Sequence, residues 1–111
     1  MMPTRYYIRL QDPETARGPD SSLAFRAHGA DAFADELQQA LRSDGLFERW
    51  RALQDDPDEV DPALGATDPG ATVSGAQDDL HIDLVVVTAL PSAVLRQRLH
   101  LLAGNGWQLR D

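Results

Sequence analysis

Residues 79–109 read DLHIDLVVVTALPSAVLRQRLHLLAGNGWQL, and the reading of this stretch decides the fold. Leu80, Ile82, Leu84 and Val86 fall on one side of an extended segment, the period-two pattern of a strand. The other side begins polar, with Asp79, His81 and Asp83, and turns apolar at Val85 and Val87. A strand with one wet face keeps alternating, so the run from Leu84 to Val87 predicts cover on both faces. Pro91 and Ser92 are good helix starters. Leu95, Leu99 and Leu102, with Val94 and Leu101 beside them, then form a wide apolar stripe, and Arg96 and Arg98 fall off it. Gly104 is placed as a left-handed stop, and Trp107 and Leu109 alternate in a last strand. The unit reads as β-α-β, parallel, with a right-handed crossover.

Working outward, residues 4–10 also alternate: Tyr6, Ile8 and Leu10 on one side, Arg5, Tyr7 and Arg9 on the other. Residues 11–20 (QDPETARGPD) carry two prolines and a glycine and read as a loop. Leu23, Phe25 and Ala27 predict a second short strand ending at His28-Gly29. From Asp31, a capping residue, Phe33, Leu37 and Leu41 recur every four positions, which predicts an amphipathic helix. Leu46, Trp50 and Leu53 continue in a shifted phase, so the helix breaks at Ser43-Asp44-Gly45 and a second one spans about 45–54. Residues 71–77 (ATVSGAQ) suggest a weak edge strand.

Between these elements, residues 54–70 are punctuated by Asp56-Pro57, Asp61-Pro62 and Asp68-Pro69 and hold few large apolar side chains. Low hydrophobicity with charge of one sign buries too little surface to offset ordering entropy, which predicts a flexible acidic loop at about 55–70. One domain is expected over 1–111. The order is β-β-α-α-(β)-β-α-β. With the first strand set aside, it resembles the β-α-β-β-α-β order of ferredoxin-like folds. The expected class is therefore α+β: a two-layer sandwich of ferredoxin-like order with an extra N-terminal strand, its helices on one face of a mixed sheet. Such a likeness implies a fold and no function.

Composition removes several chemistries. The chain has no cysteine, which excludes disulfides, thiolate metal sites and cysteine nucleophiles. All ten basic residues are arginine, so Schiff-base lysines and the lysine of a phosphate loop are absent. The net charge of −8 is uneven. Between Arg51 and Arg96 there are nine acids and no base, whereas the remainder holds nine acids against ten arginines. Direct nucleic-acid binding is disfavoured. No window approaches the roughly 20 apolar residues of a membrane span, and MMPTRYYIRL lacks the apolar core of a signal peptide. A cytoplasmic protein is expected.

Candidate chemistry is sparse. Asp79, His81 and Asp83 share a strand face at i, i+2 spacing and could present ligands to a divalent metal or orient an imidazole. A solvated strand end accounts for them as well, and no metal site, cofactor or catalytic residue is assigned. The run Asp55, Asp56, Asp58, Glu59, Asp61 fails as a calcium loop. Counted from Asp56, Val60, Asp61 and Thr67 stand where a ligand, a glycine and a glutamate belong. His100 is expected to point outward and His28 to lie in a turn.

Two functions remain. The first is a non-enzymatic interaction or regulatory module acting as a homodimer, in which a second sheet covers Val85 and Val87. The acids Asp55, Asp56, Asp58, Glu59 and Asp61 would serve as a docking segment for a basic protein. The second is a small enzyme or ligand-binding protein with a pocket between sheet and helices, for which Tyr7, Arg9, His81 and Asp83 are the residues to watch. The first is preferred.

Overall fold

A computed structural model describes residues 3–110. The first strand, β1 (Thr4–Leu10), buries Ile8 and Leu10 completely and leaves Arg5 and Tyr7 exposed, as its alternation predicts. Helix α1 (Ala30–Arg42) follows, and Phe33, Ala34, Leu37, Ala40 and Leu41 form its buried stripe. Its N-cap is Gly29 at φ +89, with no side-chain capping bond, so Asp31 lies in the first turn and adds charge there instead of a cap. The chain breaks at Ser43 and resumes as α2 (Gly45–Ala52), whose buried residues are Leu46 and Phe47. Two single 3₁₀ turns, Pro57–Glu59 and Pro62–Gly65, lead into β2 (Thr72–Asp78). The hairpin continues as β3 (His81–Thr88), then α3 (Ser92–Ala103) and the short β4 (Gln108–Arg110).

The described residues thus form a small α+β domain with a four-stranded sheet and three α-helices. The strand order is β2-β3-β1-β4, and every neighbouring pair is antiparallel. The expectation of a mixed sheet is corrected here. β3 and β4 do run parallel to one another, since both are antiparallel to β1, but β1 is inserted between them. The fully buried Ile8 and Leu10 give the physical reason. A strand with that much apolar surface gains most in the sheet interior, where both edges are hydrogen-bonded and its side chains lie over the core.

Among the described residues the second expected strand, at 23–27, is absent, so the strand at 4–10 is the first of the sheet and not an extra one. Leu23, Ala24, Phe25 and Ala27 are all buried, so the segment does not alternate between faces. Its backbone bonds also go elsewhere. Leu23 N and Ala24 N donate to Asp20 O, Phe25 N donates to Leu102 O, and the Arg17 guanidinium donates to Phe25 O and Ala27 O at 2.7 and 2.8 Å. Residues 16–27 wrap the C-terminal end of α3 instead. Gly104 closes that end at φ +61, with its N–H on His100 O. Its ψ of −120° differs from the left-handed helical well expected at a helix stop. A Cβ there would stand 3.1 Å from Arg17 O, so close approach of the wrapping segment asks for glycine as much as the dihedral does.

Two side chains lie where their periodicity does not put them. Leu80 belongs to the hairpin turn and is 81% exposed, so the buried face of β3 begins at Ile82. Arg98 is 0% exposed despite lying off the leucine stripe. Its guanidinium donates to Leu64 O and Ala66 O at 2.7 and 2.9 Å and stacks over Phe47, 5.7 Å from the ring centre. The segment after α2 packs across α3, and a periodic reading of α3 alone cannot anticipate a neighbour that has no periodicity. Within 55–70, Asp68 N also donates to Leu41 O, and the Asp68 carboxylate accepts from Thr88 Oγ1, Ala89 N and Gly70 N.

One apolar cluster joins Ile8 and Leu10 of β1, Ile82, Leu84 and Val86 of β3, Leu46 of α2, and the buried apolar residues of α1 and α3. At about 25 cal/mol per Å² of apolar surface, each fully buried leucine or isoleucine contributes roughly 1.5–3 kcal/mol. α1 packs on β2 and β3 from this side, and the edge strand β2 is fastened to it by two side chains. Gln38 Oε1 accepts from Val73 N, and Arg42 Nε donates to Ala71 O. Among the described residues, no helix covers the opposite side of the sheet.

Candidate functional site

The register of the sheet sets out this open face pair by pair. Arg5 stands opposite Val87, Tyr7 opposite Val85 and Arg9 opposite Asp83. On the far side of β3, Ser74 faces Val85, Ala76 faces Asp83 and Asp78 faces His81. On β4, Arg110 lies opposite Tyr7. Because paired residues point the same way, Tyr7, Arg9, His81, Asp83, Val85 and Val87 all project from one surface. These six sequence-predicted residues are therefore brought together. They lie on the face away from the helices, so they do not line a pocket between sheet and helices.

The centre of the face is apolar and only partly covered. Val85 and Val87 are half-buried, and Tyr7 is 42% exposed. Toward the hairpin end the face is polar and organised by an ion pair. Arg9 Nε donates to Asp83 Oδ1 at 2.8 Å and Nη2 donates to Oδ2 at 3.3 Å. The Arg9 hydrogen bond holds the Asp83 carboxyl below the usual carboxylate range against an opposing contribution from partial burial, and the same bond raises Arg9. His81 Nε2 lies 3.4 Å from Asp83 Oδ2 and 3.7 Å from Asp78 Oδ2.

The second acid beside His81 is thus Asp78, where the sequence pattern pointed to Asp79. A two-residue hairpin loop, Asp79-Leu80, takes Asp79 out of the strand at φ +58 and leaves Asp78 as the cross-strand partner of His81. An acid followed by a two-residue loop before His81 was the signal that would have found it. His28 and His100 are exposed, well away in sequence and on other elements.

The acids Asp55, Asp56, Asp58, Glu59 and Asp61 are all exposed and belong to a different surface, the helix side. Arg51 approaches Asp58 at 3.6 Å, and its Nε donates to Pro57 O, which draws the start of the segment onto α2. Two open cavities also lie away from the sheet face. One of about 610 Å³ is bounded by Leu23, Arg26, Glu36, Leu46 and Arg49, and one of about 440 Å³ by Arg17, His28, Phe33 and Asp79. Neither is lined by Tyr7, Arg9, His81 or Asp83. Among the described residues, no helix is long and apolar enough to cross a membrane. Comparison with protein-family models, with curated proteins and with solved structures gives no match.

Proposed function

We propose that the protein is a non-enzymatic interaction module that acts as a homodimer, a second copy covering the open sheet face. The observation that carries this reading is the half-buried Val85 and Val87 and the exposed Tyr7 at the centre of a face whose charges are divided between its halves. The β1–β4 half presents Arg5, Arg9 and Arg110, and the β2–β3 half presents Asp78 and Asp83. A two-fold axis parallel to the strands, between β1 and β3, lays the basic half of one copy over the acidic half of the other. Aligned sheets packed face to face at about −30° leave room for the valines and tyrosines to interdigitate between those charges.

A second copy suits this surface better than a basic partner does. The chain's net charge of −8 opposes self-association in general. The open face, however, carries three arginines against two aspartates, and the strongly acidic residues 55–61 sit on the helix side. Face-to-face contact therefore keeps the two acidic segments apart. We further read the architecture as a two-layer, ferredoxin-like sandwich. This is supported by the order β-α-β-β-α-β, with α1 and α2 counted as one crossover, and by the two parallel strand pairs each split by an intervening strand. A cytoplasmic location suits a chain without cysteine.

Sedimentation equilibrium at tens of micromolar tests the reading. The wild-type protein is expected to sediment as a dimer. Val85→Glu, which puts a carboxylate at the centre of the face without touching the core, is expected to be monomeric with an unchanged far-UV spectrum. A wild-type protein that stays monomeric throughout the range overturns the proposal.

A further inference from the structure

At the turn end of the β2–β3 hairpin, three side chains bring one donor atom each close together. Asp78 and His81 are a cross-strand pair, and Asp83 is the next residue along the same face of β3. One imidazole nitrogen and one oxygen from each carboxylate lie within 4.8 Å of one another. The two separations from His81 Nε2, 3.4 Å to Asp83 Oδ2 and 3.7 Å to Asp78 Oδ2, are long for hydrogen bonds. They are the lengths of a coordination edge. Zinc–ligand bonds of about 2.0–2.2 Å at tetrahedral angles set neighbouring donor atoms roughly 3.4 Å apart.

The imidazole nitrogen supplies an independent observation. His81 Nε2 is shielded from solvent and has no hydrogen-bond partner, although two carboxylates flank it. Buried ring nitrogens are normally satisfied, so an orphan aimed between two anions points to something held between them. Asp83 is held in place for that task, because Arg9 Nε fixes its Oδ1 at 2.8 Å and a longer bond of 3.3 Å from Nη2 leaves Oδ2 directed toward His81. Ligating carboxylates are commonly oriented by such an outer-shell donor.

We propose that His81 Nε2, Asp78 Oδ2 and Asp83 Oδ2 bind a divalent transition cation of the zinc class, with solvent completing the shell. Two carboxylates, one of them shared with the Arg9 guanidinium, attract the dication, and one imidazole favours zinc over calcium, which takes six to eight oxygen ligands. All three ligands come from one hairpin of one chain, so a monomer can assemble the site, although Asp78 and Asp83 are also the acids that the proposed homodimer sets against the arginines of the second copy.

The test uses the full chain stripped of metal by a chelator and then titrated with Zn²⁺ alone, followed by calorimetry and by imidazole-nitrogen NMR. One equivalent is expected to bind and to move the His81 Nε2 resonance while His28 and His100 stay still. His81→Gln and Asp78→Asn are each expected to weaken binding at least tenfold, and Arg9→Gln by about ten- to a hundredfold. Asp79→Asn, at the neighbouring acid outside the cluster, is expected to leave affinity unchanged. Far-UV spectra confirm that each variant is folded, and Asp78 lies exposed near the hairpin tip, where substitution leaves the core intact. The proposal is overturned if zinc binds His81→Gln as well as wild type. It is equally overturned if the shifts fall on His28 or His100, or if Asp79→Asn costs as much as Asp78→Asn, since the cation would then be answering diffuse charge.

Discussion

Arg98, at the middle of α3, donates to the carbonyl oxygen of Leu64 at 2.7 Å from a fully buried position. A second bond to Ala66 O at 2.9 Å completes a clamp by which the helix holds the stretch after the acidic residues. Burial lowers the pKa of the guanidinium, while Asp44 acts in the opposite direction. No carboxylate neutralises it by direct contact among the described residues, so carbonyl dipoles and the Phe47 ring carry the compensation. Hydrogen bonds to a charged group contribute roughly 1.5–3 kcal/mol each. Arg98→Ala is therefore expected to lower the urea unfolding free energy by about 3 kcal/mol or more. Amide exchange across residues 57–66 should rise in the same variant. Loss of stability without faster exchange in that segment would show that Arg98 is not its anchor.

Asp68 ties the other end of the segment to the sheet. Hydrogen bonds from Ala89 N and Thr88 Oγ1 hold its carboxyl below the ordinary carboxylate range, with smaller help from Gly70 N and Arg42. A carboxyl depressed in the folded state contributes stability above its unfolded pKa of roughly 3.9 and loses it as pH falls through the folded value. Wild-type stability is expected to drop between about pH 5 and the folded pKa, and Asp68→Asn should flatten that part of the profile. Carboxyl NMR titration together with acid unfolding of both proteins checks the prediction. An Asp68 titrating at its ordinary value would refute it.

Gly75 lets α1 sit on the edge of the sheet. A Cβ at this position would come within 2.5 Å of Ala30 O and 3.2 Å of a Leu84 methyl. The nearest obstacle is helix backbone, which cannot rotate away as a side chain can. Gly75→Ala is expected to destabilise by about 1–3 kcal/mol through displacement of the helix N-terminus, and Gly75→Val by more. Thermal unfolding of the two variants, ranked against wild type, decides it.

Asp79 is a non-glycine residue at φ +58, the conformation that the two-residue hairpin loop demands. Its carbonyl accepts from Gln77 Nε2, a bond that any residue at 79 retains. Asp79→Gly is expected to stabilise the protein by up to about 1 kcal/mol, relief of the Cβ clash outweighing the extra freedom of the unfolded chain. Unchanged or lower thermal stability would refute this.

Much of this architecture is legible in local pattern. The apolar side of β1 at Ile8 and Leu10, the break between α1 and α2 at residues 43–45, the strand-helix-strand order after Asp79 and the shared side of Val85 and Val87 follow from spacing and from turn chemistry. Each depends on residues within a few positions of one another, and that is the range over which backbone sterics and periodicity act. The candidate site was half legible for the same reason. His81 and Asp83 share a strand face by simple alternation, whereas Asp78 and Arg9 join them only through cross-strand register.

Tertiary structure alone decided the rest. Leu23 to Ala27 alternates like a strand, yet its amides and carbonyls are taken by Asp20, Leu102 and Arg17 before any sheet can claim them. Arg98 lies off an apolar stripe, yet it is buried because a segment without periodicity crosses its helix and offers two carbonyls. β1 separates β3 from β4 because two fully buried apolar side chains gain more in the sheet interior than at an edge. By itself the sequence determined the three helices, the four strands and most of their apolar faces. Which partner satisfies each hydrogen bond and covers each face is a competition between groups distant along the chain, and only the assembled fold resolves it.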